Sequence, residues 1–238
     1  MITSINLQEV KSKLVSKLEG TGWDKMLRTY FLGEDLDKIL KILLRESQDS
    51  KRFTPQVKYI FAALEKCHFD DVRVVIIGQD PYPQIGVADG LAFSCSLKDK
   101  PEVSLKYMTD SIKKTVAEED QDPNPTPDLE RWSKQGVLLL NTAFTTTIGK
   151  PGTHQLLWKN TFVNILDSII WNRQDVVYVF LGKKAQEYAD LVPDNNLKLF
   201  ASHPASAGYS GEKEWNCEDV WNKINKYLQQ NDQRKIHW

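Results

Sequence analysis

The sequence predicts an α/β fold, a central four-stranded parallel sheet flanked by helices, and three observations lead there. Four short apolar runs recur along the chain: VRVVIIG at 72–78, GVLLLN at 136–141, DVVYVFLG at 175–182 and NLKLFAS at 196–202. Helical patterns lie between them, so consecutive strands are joined by crossover connections and pair in parallel. The first run is continuous rather than alternating and stops at Gly78, Gln79, an acid and a Pro-Tyr-Pro turn, which marks a strand covered on both faces that delivers a rigid polar loop.

The elements follow in order. Leu7, Val10, Leu14 and Leu18 make one amphipathic face ending at Gly20, Leu36, Ile39, Leu40 and Leu43 make a second, and Thr54-Pro55 opens a third helix. Residues 1–66 are therefore expected to be a helical N-terminal part packed on the sheet. Between the strands the pattern predicts helices over 103–117, over 127–135 with Thr126 as N-cap and Pro127 in first position, over 157–172, and over 183–191. In the third of these Trp158, Phe162, Ile165, Leu166, Ile169 and Ile170 share one face. Val220, Ile224, Tyr227 and Leu228 mark a closing helix, and DQDPNPTPD at 120–128 reads as a loop. With no internal repeat, 238 residues of which 41% are hydrophobic and 26% charged fit one domain spanning 1–238.

Composition excludes several classes. Cys67, Cys95 and Cys217 are an odd count without a CxxC pair, which points to neither a disulfide framework nor a zinc site and suits a reducing interior. The segment MITSINLQEVKSKL lacks the apolar core of a signal peptide, and no stretch approaches the ~18 apolar residues of a membrane span. The 31 basic and 32 acidic residues give a net charge of −1, so any contact with nucleic acid must be local. His68, His154, His203 and His237 show no metal-ligand spacing.

The polar residues fall at one place on this scaffold. Gln79-Asp80-Pro81-Tyr82 follows the first strand, Asn141-Thr142 the second, Gly182-Lys183 the third and Ser202-His203-Pro204 the fourth. Open parallel sheets bind ligands in the crevice beyond the carboxyl ends of their strands. Singly, a strand-end Asn is a turn residue, a His before Pro a loop residue, and Asp80 with His203 a structural ion pair. Four coincidences on one edge point instead to a site.

GQDPY at 78–82, GLAFS at 90–94, GVLLLN at 136–141 and SHP at 202–204 resemble the family 1 uracil-DNA glycosylases, in order from about residue 55 to the C-terminus. The resemblance implies hydrolysis of the bond between uracil and deoxyribose in DNA, with the base flipped into a pocket. It implies Asp80 and His203 as catalytic residues: Asp80 orients water and stabilises an oxocarbenium-like sugar, and His203 donates to uracil O2. It further implies Asn141 as reader of the uracil edge, Phe93 as stacking platform, Tyr82 against C5, and the backbone at Gln79 as a second donor. Contacts to DNA are expected from Ser104 after Pro101, from Gly182 and Lys183, and from Ser206, Ala207 and Tyr209 in the loop after His203. No cofactor or metal is implied. Expected partners are single- or double-stranded uracil-containing DNA and DNA-mimicking inhibitor proteins, with no membrane, and a monomer. The implied location is cytoplasmic in a prokaryote, nuclear or mitochondrial otherwise.

Two departures from the family pattern stand out. Pro83 replaces a common His after the Tyr. HPASAGYSG at 203–211 replaces HPSPLS, whose leucine fills the gap left by the flipped base; Ala207 stands at that position, so either Tyr209 is the wedge or single strands are preferred. Two other readings remain: a DNA-binding scaffold that kept the fold, which predicts a broken catalytic set, and a hydrolase of free nucleosides, which would cleave deoxyuridine alone.

Overall fold

The computed structural model describes residues 6–49, 52–97 and 102–238. Among the described residues six strands form, β1 (Phe53–Thr54), β2 (Val74–Gly78), β3 (Val137–Asn141), β4 (Thr146–Thr147), β5 (Val177–Leu181) and β6 (Leu197–Ala201). The central sheet has the order β3-β2-β5-β6 with every pair parallel, and β1 with β4 makes a small antiparallel ribbon. Because β2 is followed by β3 on one side and β5 on the other, the strand order reverses beside β2. That reversal opens a crevice at the carboxyl ends.

Strand periodicity divides the core into two layers. Val75, Ile77, Leu138, Leu140, Tyr178 and Phe180 face the N-terminal helices, including Leu7–Ser16 and Asp35–Gln48, together with helix Gln155–Asn172. Val74, Ile76, Val137, Leu139, Val177 and Val179 face helices Val103–Thr115 and Val220–Gln230. Burial on both faces explains why β2, β3 and β5 read as unbroken apolar runs. β6 lies at the edge and is only partly covered.

Several boundaries differ from the sequence pattern. The helix expected over 127–135 covers only Glu130–Ser133: the Pro127 carbonyl accepts the Cys95 N–H at 3.0 Å, and Asp128 Oδ1, not Thr126, accepts the Glu130 N–H at 2.8 Å. Thr54-Pro55 does not open a helix, because Phe53 and Thr54 pair with Thr147 and Thr146, and helix begins only at Ala62–Lys66 after a short turn. The 183–191 pattern divides into Lys183–Gln186 and a 3-10 turn Ala189–Leu191. A short helix, Ser206–Ser210, was not signalled by the sequence. Pro101 and residues 1–5, part of the N-terminal segment read above, lie outside the described residues.

Candidate active site

The register of the sheet sets the floor of the site. Gly78 at the end of β2 pairs with Asn141 at the end of β3. A Cβ at position 78 would stand 2.6 Å from Asn141 Oδ1 and 3.0 Å from Phe93 Cε2, so glycine is what lets the amide and the ring come together. Asn141 is 6% exposed and, among the described residues, its side chain makes no hydrogen bond inside the protein. The amide lines a cleft of about 450 Å³ shared with Gln79, Asp80, Tyr82, Phe93 and His203.

Each of these is held from behind. The loop after β2 is tied to β3: the Gly78 carbonyl accepts the Thr142 N–H, and the Gln79 carbonyl accepts from Ala143 N–H at 3.1 Å, Thr142 Oγ1 at 2.8 Å and Gln155 Nε2 at 3.0 Å. Asp80 Oδ2 accepts the backbone N–H of Gly152 in a short hydrogen bond. Burial pushes the Asp80 carboxyl above its ordinary range, opposed by hydrogen bonds from Gly152, Thr146 and Gln79 and by the nearby His154. Phe93 sits at φ +65° in a segment anchored by Ala92 N–H to the Leu139 carbonyl at 3.0 Å and by Asp89, which accepts from Leu91 N–H at 3.1 Å and Ser94 Oγ at 2.5 Å. Gly90 precedes it at φ +95°, where a Cβ would meet the Tyr59 carbonyl oxygen at 2.0 Å. The Tyr82 hydroxyl donates to the Phe93 carbonyl at 3.0 Å, which ties ring and platform together.

His203 closes the opposite side, its ring centroid 5.7 Å from that of Phe93. Its Nδ1 accepts the Ala205 N–H at 3.2 Å, so in the neutral ring the proton is on Nε2, which is left to donate. Desolvation lowers its pKa and favours that neutral form. Trp215 Nε1 holds the preceding residue through the Ser202 carbonyl at 3.1 Å and hydroxyl at 3.0 Å. Asp80 and His203 make no ion pair with one another, so both remain available to a ligand.

The family model described as the uracil DNA glycosylase superfamily matches residues 65–228, which contain every one of these side chains. The chain belongs to this superfamily. Its relatives include the uracil-DNA glycosylase of Mesomycoplasma hyopneumoniae, 36% identical over 197 residues, 82% of this chain and 87% of the relative. That of Borreliella burgdorferi is 34% identical over 215 residues, 87% of this chain and 95% of the relative. In fold, the chain is similar to the crystal structure of mimivirus uracil-DNA glycosylase, with a TM-score of 0.83 and 23% identity over 97% of this chain and 91% of that one. A Y322L variant of the mimivirus protein was solved in complex with UGI.

In this uracil-DNA glycosylase superfamily member the outer positions take different places. Ser104, Ser206 and Tyr209 line the cleft, whereas Gly182, Lys183 and Ala207 do not. Ser104 is buried near the Tyr82 hydroxyl. Gly182 packs against His203, where a Cβ would stand 2.9 Å from His203 Cβ, while Lys183 opens a four-residue helix and faces solvent. Ala207 is 2% exposed and belongs to the core, which corrects its placement as a residue facing DNA; Tyr209, two residues on, is 91% exposed. The sequence pattern marks Thr142 but gives no site role to residues 143–155, although Gly152 and Gln155 join Thr142 in holding the Gln79-Asp80 loop. The signal was the run TTTIGKPGTHQ at 145–155, with two glycines and a histidine just ahead of helix Gln155–Asn172.

Proposed function

We propose that this chain is a DNA repair hydrolase that cleaves the N-glycosidic bond of deoxyuridine in DNA, releases uracil and leaves an abasic site. The observation that carries the reading is the uncommitted Asn141 amide beside Phe93, in one cleft with a hydrogen-bonded Asp80 and an Nε2-protonated His203.

A base stacked in a duplex is out of reach of such a cleft, so uracil enters extrahelically, at a cost of a few kcal/mol. It stacks on Phe93, and the Asn141 amide accepts from N3–H and donates to O4. Cytosine presents the reverse pattern and would leave a buried amide unpaired, a mismatch able to discriminate by roughly 10⁴. Tyr82, tethered by its hydroxyl, stands against C5 and excludes the methyl of thymine. As the bond to the sugar lengthens, negative charge gathers on the base and positive charge on the anomeric carbon. His203 Nε2–H donates to O2, and the Asp80 carboxylate stabilises the cationic sugar and orients the water that adds to it. Tyr209 on its short helix is the side chain exposed to fill the vacated stack. DNA-mimicking inhibitor proteins are expected on the same face, and bacterial relatives favour a cytoplasmic setting. Among the described residues, no helix is long and apolar enough to cross a membrane.

The test is incubation with a single-stranded uracil-containing oligonucleotide followed by alkali. The parent chain is expected to give strand scission at uracil and none at cytosine or thymine. His203→Leu is expected to lower kcat by about two to three decades, the cost of one preorganised donor, and Asp80→Asn to lower kcat with substrate still bound. Parent-like kcat in both variants, or cleavage of deoxyuridine as efficient as of DNA, would sink the proposal.

A further inference from the structure

Glu46 lies near the end of helix Asp35–Gln48, in the N-terminal helical part and outside the cleft. Its Oε2 is 3.0 Å from Nε2 of His154, which is 4% exposed. On the other side of that ring, Nδ1 is 2.8 Å from Thr145 Oγ1, and Thr145 Oγ1 accepts the Trp158 indole N–H at 2.7 Å. One assignment of protons satisfies every member of this chain. The indole donates to the Thr145 hydroxyl, the hydroxyl donates to Nδ1, and Nε2–H donates to the Glu46 carboxylate. With a proton on Nδ1 the Thr145 hydroxyl hydrogen would have no acceptor in the set.

His154 is the residue that precedes helix Gln155–Asn172 and lies two positions from Gly152, whose N–H is held by Asp80. The intervening segment is further closed by Thr153 Oγ1, which accepts the Thr147 N–H at 2.9 Å. We infer that Glu46 is a positioning residue for Asp80: by anchoring His154 it fixes the segment that presents the Gly152 N–H to the carboxylate. The inference rests on the hydrolase reading above for its catalytic consequence, and gives the N-terminal helices a part in the site. The groups facing the Asp80 carboxylate are the Gly152 N–H, the Thr146 hydroxyl, the Gln79 side chain and His154; Glu46 is the acid facing His154 from the other side.

The test compares Glu46→Ala with Glu46→Gln, which keeps an acceptor for Nε2–H. Glu46→Ala is expected to lower kcat between about tenfold and a hundredfold, the range of a small misplacement of a reacting group, with KM little changed. Without a well-placed Gly152 N–H the acid limb of the pH–rate profile should move to higher pH. Glu46→Gln should restore both. Independently of turnover, the Gly152 amide proton, shifted downfield by its carboxylate partner, should move upfield in Glu46→Ala. Thr145→Val, which breaks the same chain from the interior, should move it likewise and serves if Glu46→Ala does not fold. Parent-like kcat, acid limb and Gly152 resonance in folded Glu46→Ala, or equal losses in the Gln variant, overturn the inference. A moved resonance in a chain that never releases uracil would instead overturn the hydrolase reading and leave the anchor standing.

Discussion

At position 78 the absence of one methyl group keeps the floor of the cleft open. The strand conformation there is one any residue adopts, and the collision an alanine would bring is with Asn141 and Phe93, the two groups that would hold the uracil. Overpacking of this size costs about 1–3 kcal/mol. Since both neighbours are side chains at the cleft, the displacement is expected to appear as substrate affinity and rate rather than as unfolding. Gly78→Ala is predicted to lower kcat/KM by about tenfold or more with a far smaller change in Tm, measured by steady-state kinetics and thermal melting; parent-like kcat/KM would contradict this account of the floor. The two ionisable residues give a second prediction. Burial raises the Asp80 carboxyl above the usual 3.8 and lowers the His203 imidazole below the usual 6.5. The carboxylate is lost as pH falls through its pKa, and protonating His203 at Nδ1 would set two N–H groups face to face at Ala205. Both changes remove active enzyme on the acid side, so kcat/KM should fall with decreasing pH along a limb above 3.8. A rate that rose on acidification to pH 5 would contradict the assigned protonation states.

At the scale of the element, the short helix Ser206–Ser210 decides which side chain stands at the rim of the cleft. It packs its small residues inward: Ala207 is in the core and Gly208 lies against Tyr107, where a Cβ would stand 3.4 Å from Tyr107 Cε2. That contact turns Tyr209 out into solvent at the rim of the cleft. An aromatic side chain there can enter a base stack that an alanine could not fill. Tyr209→Ala is therefore expected to slow excision from a U:A duplex more than from the matching single strand, and Tyr209→Leu to recover much of the duplex rate. Equal losses on both substrates would show that the ring does not act as a wedge. The helix itself was not legible in ASAGYS, since its register is set by the packing of Gly208 on Tyr107 rather than by capping or periodicity. The same holds for the helix after Pro127, whose start is delayed because Cys95 claims the Pro127 carbonyl. Strands fared better: runs buried on both faces carry their signal in composition alone.

At the scale of the whole molecule, the fold gathers Asp80, Asn141 and His203 from three strand ends that are 61 and 62 positions apart in sequence. With a net charge of −1 and with Asp80 and Glu102 both at the cleft, the proposed binding of DNA is expected to depend on a few contacts to its backbone. For roughly three phosphates on a single strand, the slope of log K against log salt should be about −2. Fluorescence anisotropy with Asp80→Asn would measure it, and a slope near −10 would reveal a larger basic footprint. The sequence by itself determined the sheet, its parallel connections and the row of polar residues at its carboxyl edge, because strand burial and turn chemistry are local properties written in short stretches. Only the tertiary structure decided which neighbours hold those residues: Gly152 on Asp80, Ala205 on His203, Glu46 behind His154, and Tyr209 rather than Ala207 at the rim. The Gly152 and Glu46 contacts join segments far apart in sequence, and those on Asp80 and His203 are made through backbone N–H groups that every residue but proline possesses, so residue type carries no trace of them.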